Sequence, residues 1–285
     1  MANEAGPLDP DQYQVDDADK GFFAAAISPD EDVVRQRVID IQKKAYEACP
    51  YPCIRMFYFI SLRMKGHPTY KEVIAHGGKD NALFLDLGCC MGTDVRNAAY
   101  EGYPASQLVG SDLLETYLTL GKELYNDKET GKIKFIAADV FDLPPIRSTA
   151  PRISSLDGVT QLDDLAGSLT FIYTGSVFHL FSAQKQKELA LRLLRLWTRE
   201  PGAIIFGRHQ GKAEEGYLAE GRPEMDIYGH SPKTFTAMWK EAIEEFEGEG
   251  AAEKIVVEVE LRDWVKRLGS LSRDTVTLVW TVRRV

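Results

Sequence analysis

The first third of the chain carries apolar residues at helical spacing. Residues 28–31, a Ser-Pro pair followed by two acids, form the pattern of a helix N-terminus. Apolar residues then recur every three or four positions over 34–45, which predicts an amphipathic helix. A second helix is predicted over 52–64 and a short one over 70–76. We therefore expect the segment 21–80 to be a helical lid that precedes the rest of the protein.

The period of the pattern changes at residue 82. Residues 82–88 form a continuous apolar run that ends in glycine, as in a buried parallel strand. Strand-like and helical runs then alternate, and residues 144–158 lack periodicity and are predicted to be a loop. The further predicted strands are 107–110, 133–137, 169–173, 203–206, 254–261 and 275–282, and the predicted helices are 113–125, 183–197 and 231–246.

This alternation predicts an α/β doubly wound sheet with right-handed crossovers. The last two predicted strands have no helix between them, so a parallel crossover cannot join them. We expect them to form an antiparallel hairpin at the sheet edge, linked by residues 262–274.

Composition places the chain among ordinary globular proteins. Its 285 residues are 44% hydrophobic and 27% charged, with a formal net charge of -9. Because an acidic chain without a basic run repels phosphate backbones, nucleic acid is excluded as a substrate. Residues 1–20 are acidic and poor in large apolar groups, so they are expected to be a flexible tail. Residues 81–285 then form the main domain.

The cysteines and the apolar runs bear on the compartment. Two of the four cysteines are adjacent, which does not suit a disulfide framework and indicates a reducing, cytoplasmic setting. No run reaches the ~18 apolar residues of a membrane span, and the first residues do not form a secretory signal. Cys49 and Cys53 have no second pair or histidine cluster beside them, so no metal site is expected. The oligomeric state is left open, with a homodimer as one alternative.

The sharpest motif follows the first strand of the main domain. Asp86 is followed by Gly88 and Gly92, the arrangement of a nucleotide-binding turn. Cys90 stands where a dinucleotide fingerprint has its middle glycine, the residue that lets backbone approach a pyrophosphate. The motif therefore disfavours an NAD-dependent oxidoreductase and suits a ligand without phosphates.

Two further acids stand at predicted strand ends. Asp112 lies 20 residues past Gly92, a spacing that suits a carboxylate accepting hydrogen bonds from ribose hydroxyls. Asp139 ends the third strand, where it can meet an adenine amino group.

These three motifs resemble those of class I S-adenosylmethionine-dependent methyltransferases, over about residues 80–285. The resemblance implies a Rossmann-like sheet of seven strands and S-adenosylmethionine as the cofactor. It implies that the glycine-rich turn holds the amino-acid end of the cofactor and that the second and third acids hold ribose and adenine. The cofactor residues expected on this basis are Asp86, Gly88, Gly92, Asp112, Leu113, Ala138, Asp139, Val140 and Tyr173.

Residues after the fourth and fifth strands are expected to face the methyl acceptor, because ligands bind outside the carboxyl ends of the strands. His179 and Arg208 are the candidate catalytic residues, although His179 is equally well a packing histidine. The expected substrate contacts are Tyr51, Phe57, Tyr58, Ser176 and His209.

The segments Tyr51–Phe59, His67–Tyr70 and Ser176–Phe181 look like those of fungal secondary-metabolite methyltransferases. They are similar to the meroterpenoid-pathway group that methylates the carboxyl of a farnesylated dimethylorsellinic acid. The resemblance implies a large apolar acid as substrate and a methyl ester as product.

Two alternatives stay open. In the first, the methyl acceptor is a phenol or a carbon atom. A phenol would need a base to remove its proton, and His179, whose ordinary pKa is near ~6.5, is the candidate. In the other, the chain is a non-catalytic cofactor-binding subunit of another enzyme.

Overall fold

The computed structural model describes residues 6–127, 131–218, 226–262 and 275–285. The strands in these ranges are β1 (Leu83–Leu87), β2 (Leu108–Asp112), β3 (Lys134–Ala137), β4 (Leu169–Gly175), β5 (Ile204–Lys212), β6 (Gly216–Tyr217), β7 (Tyr228–Gly229), β8 (Ile255–Arg262) and β9 (Thr275–Arg284). The helices are α1 (Lys20–Ala26), α2 (Glu31–Ala48), α3 (Pro52–Arg55), α4 (Tyr70–His76), α5 (Thr93–Tyr100), α6 (Glu115–Leu124), α7 (Ala183–Leu196) and α8 (Pro232–Glu247).

The main sheet has the strand order β3-β2-β1-β4-β5-β9-β8 within the described residues. Strands β1 to β5 are parallel, and β9 runs antiparallel to both β5 and β8. The predicted α/β class and the antiparallel hairpin at the edge are therefore confirmed. The link predicted over 262–274 lies outside the described residues from position 263 onward.

Alternate residues of β1 serve two different cores. Every residue of β1 is buried, as expected for a parallel strand covered on both faces. Leu83, Leu85 and Leu87 pack with α7 and α8, whereas Phe84 packs with α4 and α5. This two-sided cover leaves the carboxyl ends of the strands as the edge where a site can form.

The N-terminal segment packs against the main domain through α2 and α6, which share a third apolar core. The Thr93 hydroxyl donates a hydrogen bond to the Phe59 carbonyl, which ties this segment to the start of α5. The buried amide of Gln42 donates to the carbonyls of Ile54 and Arg55, which joins α2 to α3.

The helix predicted over 52–64 is wrong in length. Only Pro52–Arg55 is helical, and Phe57 adopts a left-handed φ of 55° before a 3₁₀ turn over Tyr58–Ile60. A continuous helix would place Phe57 and Phe59 on opposite faces, because successive residues turn by ~100°. Both rings are buried in the structure, so burial overrides the helical pattern.

In residues 6–20, the described part of the predicted tail, the chain has local order although none of these residues is fully buried. Residues 10–12 and 17–19 form 3₁₀ turns, and the Tyr13 ring packs edge-on against Phe57 with centroids 5.8 Å apart. Tyr46 donates from its hydroxyl to the carbonyl of Gly6 at 2.8 Å. The aromatic side chain of Tyr13 thus anchors an otherwise acidic stretch.

Sequence reasoning missed α5 because polar residues of this helix are buried. Arg96 is buried and forms a two-pronged ion pair with Asp127, with N–O distances of 2.7 and 2.8 Å. Asn97 is also buried and donates to the Tyr70 hydroxyl at 2.9 Å. Polar residues at inward positions hide the apolar periodicity on which the prediction depends.

Replacing Gln42 should destabilise the N-terminal segment. The Gln42 side chain is 1% exposed, and Gln42→Leu would remove the donor to the Arg55 carbonyl and one of the donors to the Ile54 carbonyl, which also accepts from the Phe57 N–H. We expect the free energy of unfolding to fall by ~1–3 kcal/mol, measured by denaturant titration. The matched variant Gln36→Leu, at an exposed position of the same helix, should change it by less than ~0.5 kcal/mol. Equal effects of the two variants would contradict this account.

Candidate active site

The turn after β1 depends on glycine at two positions. Gly88 and Gly92 have φ values of 74° and 71°, in the left-handed region. A Cβ atom at Gly88 would lie 2.5 Å from Val177 Cγ2, and one at Gly92 would lie 2.7 Å from the Phe135 ring. Close approach of neighbouring side chains and the backbone conformation both explain why glycine stands there.

Cys90, which replaces the middle glycine, is held in the left-handed region with a φ of 52°. Its backbone N–H donates to Asp112 Oδ2 at 2.8 Å, and the Leu114 N–H donates to Oδ1 at 3.0 Å. Burial raises the pKa of Asp112, while these two donors lower it. The carboxylate is therefore oriented by backbone at the end of β2, and the side chain of the next residue, Leu113, is 63% exposed.

Asp86 and Asp94 add two more acids at this edge. Burial raises the pKa of Asp86 well above its usual range, and the charges of Asp94 and Asp112 raise it further. Asp94 Oδ1 accepts a hydrogen bond from the Met64 N–H at 3.0 Å. Burial raises the pKa of Asp94 to about 7, against the opposing effect of Arg63 and Arg208. Asp94 was missed by sequence reasoning, although an acid in the first helical turn after Gly92 was the available signal.

The end of β3 completes the region expected to hold the nucleoside. The Ala138 N–H donates to the backbone carbonyl of Asp112 at 3.0 Å, which holds the two strand ends together. Asp139 is exposed, and its Oδ1 accepts from the Phe141 N–H at 2.9 Å. Val140 is buried beside it. The structure thus brings the second and third motifs to one edge.

Tyr173 lies one strand away from these acids, opposite Asp86 in the pairing of β4 with β1. Its ring is buried against Phe206, with centroids 5.1 Å apart. Its hydroxyl is buried and has no hydrogen-bond partner among the residues that the structure describes. Burial raises the pKa of Tyr173 well above its usual range, so the phenol stays protonated.

Ser176, Arg63 and Arg208 meet beyond β4. Ser176 has a left-handed φ of 62°, and its N–H donates to the Arg208 carbonyl at 2.7 Å. Arg63 Nη1 donates to Ser176 Oγ at 3.1 Å, and the Arg63 guanidinium lies 4.4 Å from the centroid of the Tyr58 ring. Sequence reasoning missed Arg63, because an arginine in an irregular segment carries no pattern of its own.

His179 lies near the same group of charges. It is buried, and its Nδ1 has no hydrogen-bond partner among the described residues. Burial lowers the pKa of His179 to about 4, with a further contribution from Arg63. The imidazole is therefore neutral throughout the physiological range.

His209, an expected substrate contact, packs in the core beneath α8. Neighbouring residues of β5 point to opposite faces of the sheet, so His209 faces away from Arg208. The His209 ring is 1% exposed, lies 4.9 Å from the Phe235 ring and accepts the Trp280 indole N–H at 2.9 Å. It is a packing residue of the core beneath α8.

The aromatic residues of the N-terminal segment divide into two groups. Phe57, an expected substrate contact, is 2% exposed and packs in the apolar core of the segment. Tyr58 and Tyr51 are partly buried. Tyr58 stacks on Arg63, and the charge of Asp112 acts on Tyr51, which places both near the site.

The described residues show neither a metal-binding cluster nor a membrane-spanning helix. They contain no group of three or more His, Cys, Asp or Glu side chains placed to hold a metal ion. In the same part of the chain, no helix combines the length and the apolarity needed to cross a bilayer.

The raised pKa of Asp94 predicts a pH dependence of stability. Its folded pKa of about 7 exceeds the ordinary 3.8, so its stabilising contribution is complete below 3.8 and is lost as the pH rises to about 7. Asp94→Asn should therefore reduce the loss of unfolding free energy between pH 5 and pH 8 by ~1–4 kcal/mol, measured by denaturant titration. The exposed variant Asp157→Asn is the control. A pH dependence equal to that of the wild type would contradict burial of an ionising Asp94.

Comparison with known proteins follows the same division of the chain. A family model described as "Meroterpenoid methyltransferase N-terminal domain" matches residues 11–60, and one described as "Methyltransferase domain" matches residues 78–250. The chain is 33% identical over 217 residues to O-methyltransferase phiE from a fungal species, which covers 76% of this chain and 67% of that protein. It is 32% identical over 211 residues to methyltransferase ausD of Penicillium brasilianum, with coverages of 74% and 70%.

A solved structure supports the fold alone. The N-terminal domain of EvdMO1, crystallised with S-adenosylhomocysteine bound, superposes with a TM-score of 0.51 at 14% identity and covers 86% of this chain and 96% of that one. The matched domain models and the ~30% identical relatives settle the family. The chain therefore belongs to the class I S-adenosylmethionine-dependent methyltransferases and carries the N-terminal domain of the meroterpenoid methyltransferases.

Proposed function

We propose that this methyltransferase acts in fungal meroterpenoid biosynthesis and converts the carboxyl group of a large apolar acid to a methyl ester. The observation that carries the proposal is the partly buried guanidinium of Arg208, which lies in β5 opposite Gly175, the last residue of β4. Arg208 forms no ion pair or hydrogen bond through its side chain within the described residues. Because a guanidinium matches the geometry of a carboxylate, an acid is the acceptor that this edge suits best.

S-adenosylmethionine, the cofactor of the family, supplies an electrophilic methyl group on a sulfonium sulfur. The residues present fit it. A Cβ atom at Gly88 would collide with Val177, so the backbone of this turn carries no side chain there. The oriented Asp112 carboxylate lies beside the exposed side chain of Leu113. An acid that accepts hydrogen bonds beside an apolar surface suits a ribose next to an adenine ring.

From these positions we propose how each residue contacts the cofactor. Asp112 accepts the ribose hydroxyls, and Leu113 packs against the adenine. Ala138, Asp139 and Val140 border the adenine at the end of β3. Asp86, Gly88, Gly92 and Tyr173 border the amino-acid end, where the unpartnered Tyr173 hydroxyl offers a donor.

Asp112→Ala should weaken the binding of S-adenosylhomocysteine by at least ~10-fold, because hydrogen bonds to a charged group contribute ~1.5–3 kcal/mol each. Calorimetry measures the dissociation constant, and the melting temperature checks that the variant is folded. Asp139→Ala should cost less, because its carboxylate is exposed. Unchanged affinity in a folded Asp112→Ala would refute the assignment.

A carboxylate acceptor needs no base. With an ordinary pKa near ~4 it is ionised at neutral pH. Its oxygen forms the new bond to the methyl carbon as the methyl–sulfur bond breaks, the electron pair of that bond stays on sulfur, and no proton moves. The protein then contributes alignment of the acceptor and exclusion of water.

The position of the N-terminal segment supports a covering role. It supplies Arg63 and Tyr58 to the same edge, and the Asp94–Met64 hydrogen bond holds it over the start of α5. We therefore retain the proposal that residues 21–80 act as a lid, with the acceptor bound between the lid and the strand ends.

A phenol acceptor is the second candidate, favoured by the unpartnered Nδ1 of His179 near the site. The lowered pKa of His179 argues against this second candidate. A base with a pKa of about 4 is poorly matched to a phenol whose pKa is near ~10. An ordinary histidine acting as the base would make the rate rise with pH around ~6.5. For His179 that rise is expected near pH 4.

Farnesylated dimethylorsellinic acid distinguishes carboxyl from hydroxyl methylation, because it offers a carboxyl and ring hydroxyl groups in one molecule. With methyl-labelled cofactor, we expect a product whose label is released by mild alkali, as a methyl ester requires. An alkali-stable ether would refute the proposal.

The comparison of wild type with His179→Gln gives a second readout under single turnover. The ratio of their rates should be nearly constant from pH 6 to 9 and below ~10-fold, since His179 is neutral and no base is needed. A loss of ~10²-fold or more would instead identify His179 as a general base. Effects of Asp94 on the profile cancel in this ratio.

A further inference from the structure

We propose that Arg63 and Arg208 together bind the carboxylate of the methyl acceptor, and that Ser176 holds the two arginines in place. The inference rests on the proposed function, because it names how that site recognises an acid. It adds Arg63, a residue of the N-terminal segment, to the acceptor site.

The contacts of Arg63 leave its charge available. One of its terminal nitrogens donates to Ser176 Oγ at 3.1 Å, and the face of its guanidinium lies 4.4 Å from the Tyr58 ring centroid. A neutral hydroxyl and an aromatic ring orient the guanidinium without neutralising it. Throughout the described ranges, no acidic side chain forms an ion pair with either Arg63 or Arg208.

The two guanidinium groups lie near enough to repel each other. Burial lowers the pKa of Arg208, and the charge of Arg63 lowers it further. Asp94 is the acid that acts on Arg208, but its carboxyl accepts from the Met64 backbone and has a pKa of about 7. Because the described residues place no fully charged counterion here at neutral pH, an anion bound between the two arginines relieves their repulsion.

Ser176 connects the two arginines through one residue. Its N–H donates to the backbone carbonyl of Arg208, while its side chain accepts from Arg63. Ser176 makes both hydrogen bonds from a left-handed backbone, a conformation that strains a non-glycine residue. Ser176 is thus a positioning residue, which acts on the acceptor through Arg63.

The pair of arginines also distinguishes substrate from product. Methylation turns an anionic carboxylate into a neutral ester, so the product loses its attraction to both guanidinium groups. The same arrangement that binds the acid therefore favours release of the ester.

The first experiment tests the anion site independently of catalysis. Sodium benzoate, compared with sodium chloride at equal ionic strength, should raise the melting temperature of the wild type by about 2–4 °C in the presence of S-adenosylhomocysteine. Arg63→Gln and Arg208→Gln should each remove the rise. Arg35→Gln, an exposed arginine of the same segment, should keep it. No rise in the wild type, or an equal rise in all variants, would overturn the proposal.

The second experiment uses turnover of farnesylated dimethylorsellinic acid. Arg63→Gln should raise KM for the acid by ~10- to 100-fold, as expected for the loss of a charged hydrogen bond, and Arg63→Lys by less. Binding of the purified methyl ester should change by less than ~3-fold in Arg63→Gln, because a neutral group gains little from the charge. An unchanged KM with continued ester formation would overturn the arginine pair and leave the proposed function standing.

Failure of the proposed function has a different signature. A benzoate effect that depends on both arginines, together with no ester product in the wild type, would support the anion site and refute the carboxyl methylation. For Ser176, Ser176→Gly keeps the left-handed backbone and should raise KM without an equal fall in kcat. Ser176→Asn, which tolerates the same backbone and restores an acceptor oxygen, should recover part of the loss.

Discussion

The site depends on how the turn after β1 is held to the end of β2. Three successive backbone N–H groups of this turn point to β2: those of Gly88 and Cys89 donate to the Ser111 carbonyl at 2.8 and 3.0 Å, and that of Cys90 donates to the Asp112 carboxylate. This arrangement requires a left-handed backbone at Gly88 and Cys90. It places the first and second motifs in direct contact, so a change in either strand end would disturb both.

Charge is separated along the edge of the sheet. Acids gather at the ends of β1 and β2, where burial raises their pKa values, and the two arginines gather at the end of β4. Asp94 lies between the groups, hydrogen-bonded to the N-terminal segment. A cationic cofactor beside the acids and an anionic acceptor beside the arginines would each meet the opposite charge, which favours the orientation that methyl transfer needs.

The N-terminal segment is part of this electrostatic arrangement as well as of the packing. Its core is shared with α6, and its polar contacts with α5 run through Phe59 and Met64. Because Arg63 lies between these two anchors, its position is set by contacts on both sides. Because its segment is attached on both sides, the Arg63 guanidinium can move little. This supports a preorganised acceptor site.

Sequence alone predicted the features that local patterns encode. The apolar run of β1, the alternation of strands and helices, and the acids after the strand ends are each determined within a few residues, and they sufficed for the fold class and the cofactor motifs. The length of the helix after Pro52 and the presence of α5 could not be predicted this way. Long-range burial of Phe57 and Phe59, and of Arg96 and Asn97, overrides local periodicity.

Only the tertiary structure decided which candidates share one site. The alternation along β5 sends Arg208 toward the site and His209 into an aromatic core, a distinction that adjacent positions in the sequence do not show. Packing likewise brings Arg63 to Ser176 across 113 positions of sequence and buries His179 until it is neutral. Burial and contact between distant segments are properties of the folded chain, so the chemistry of these side chains is set by their surroundings rather than by their residue type.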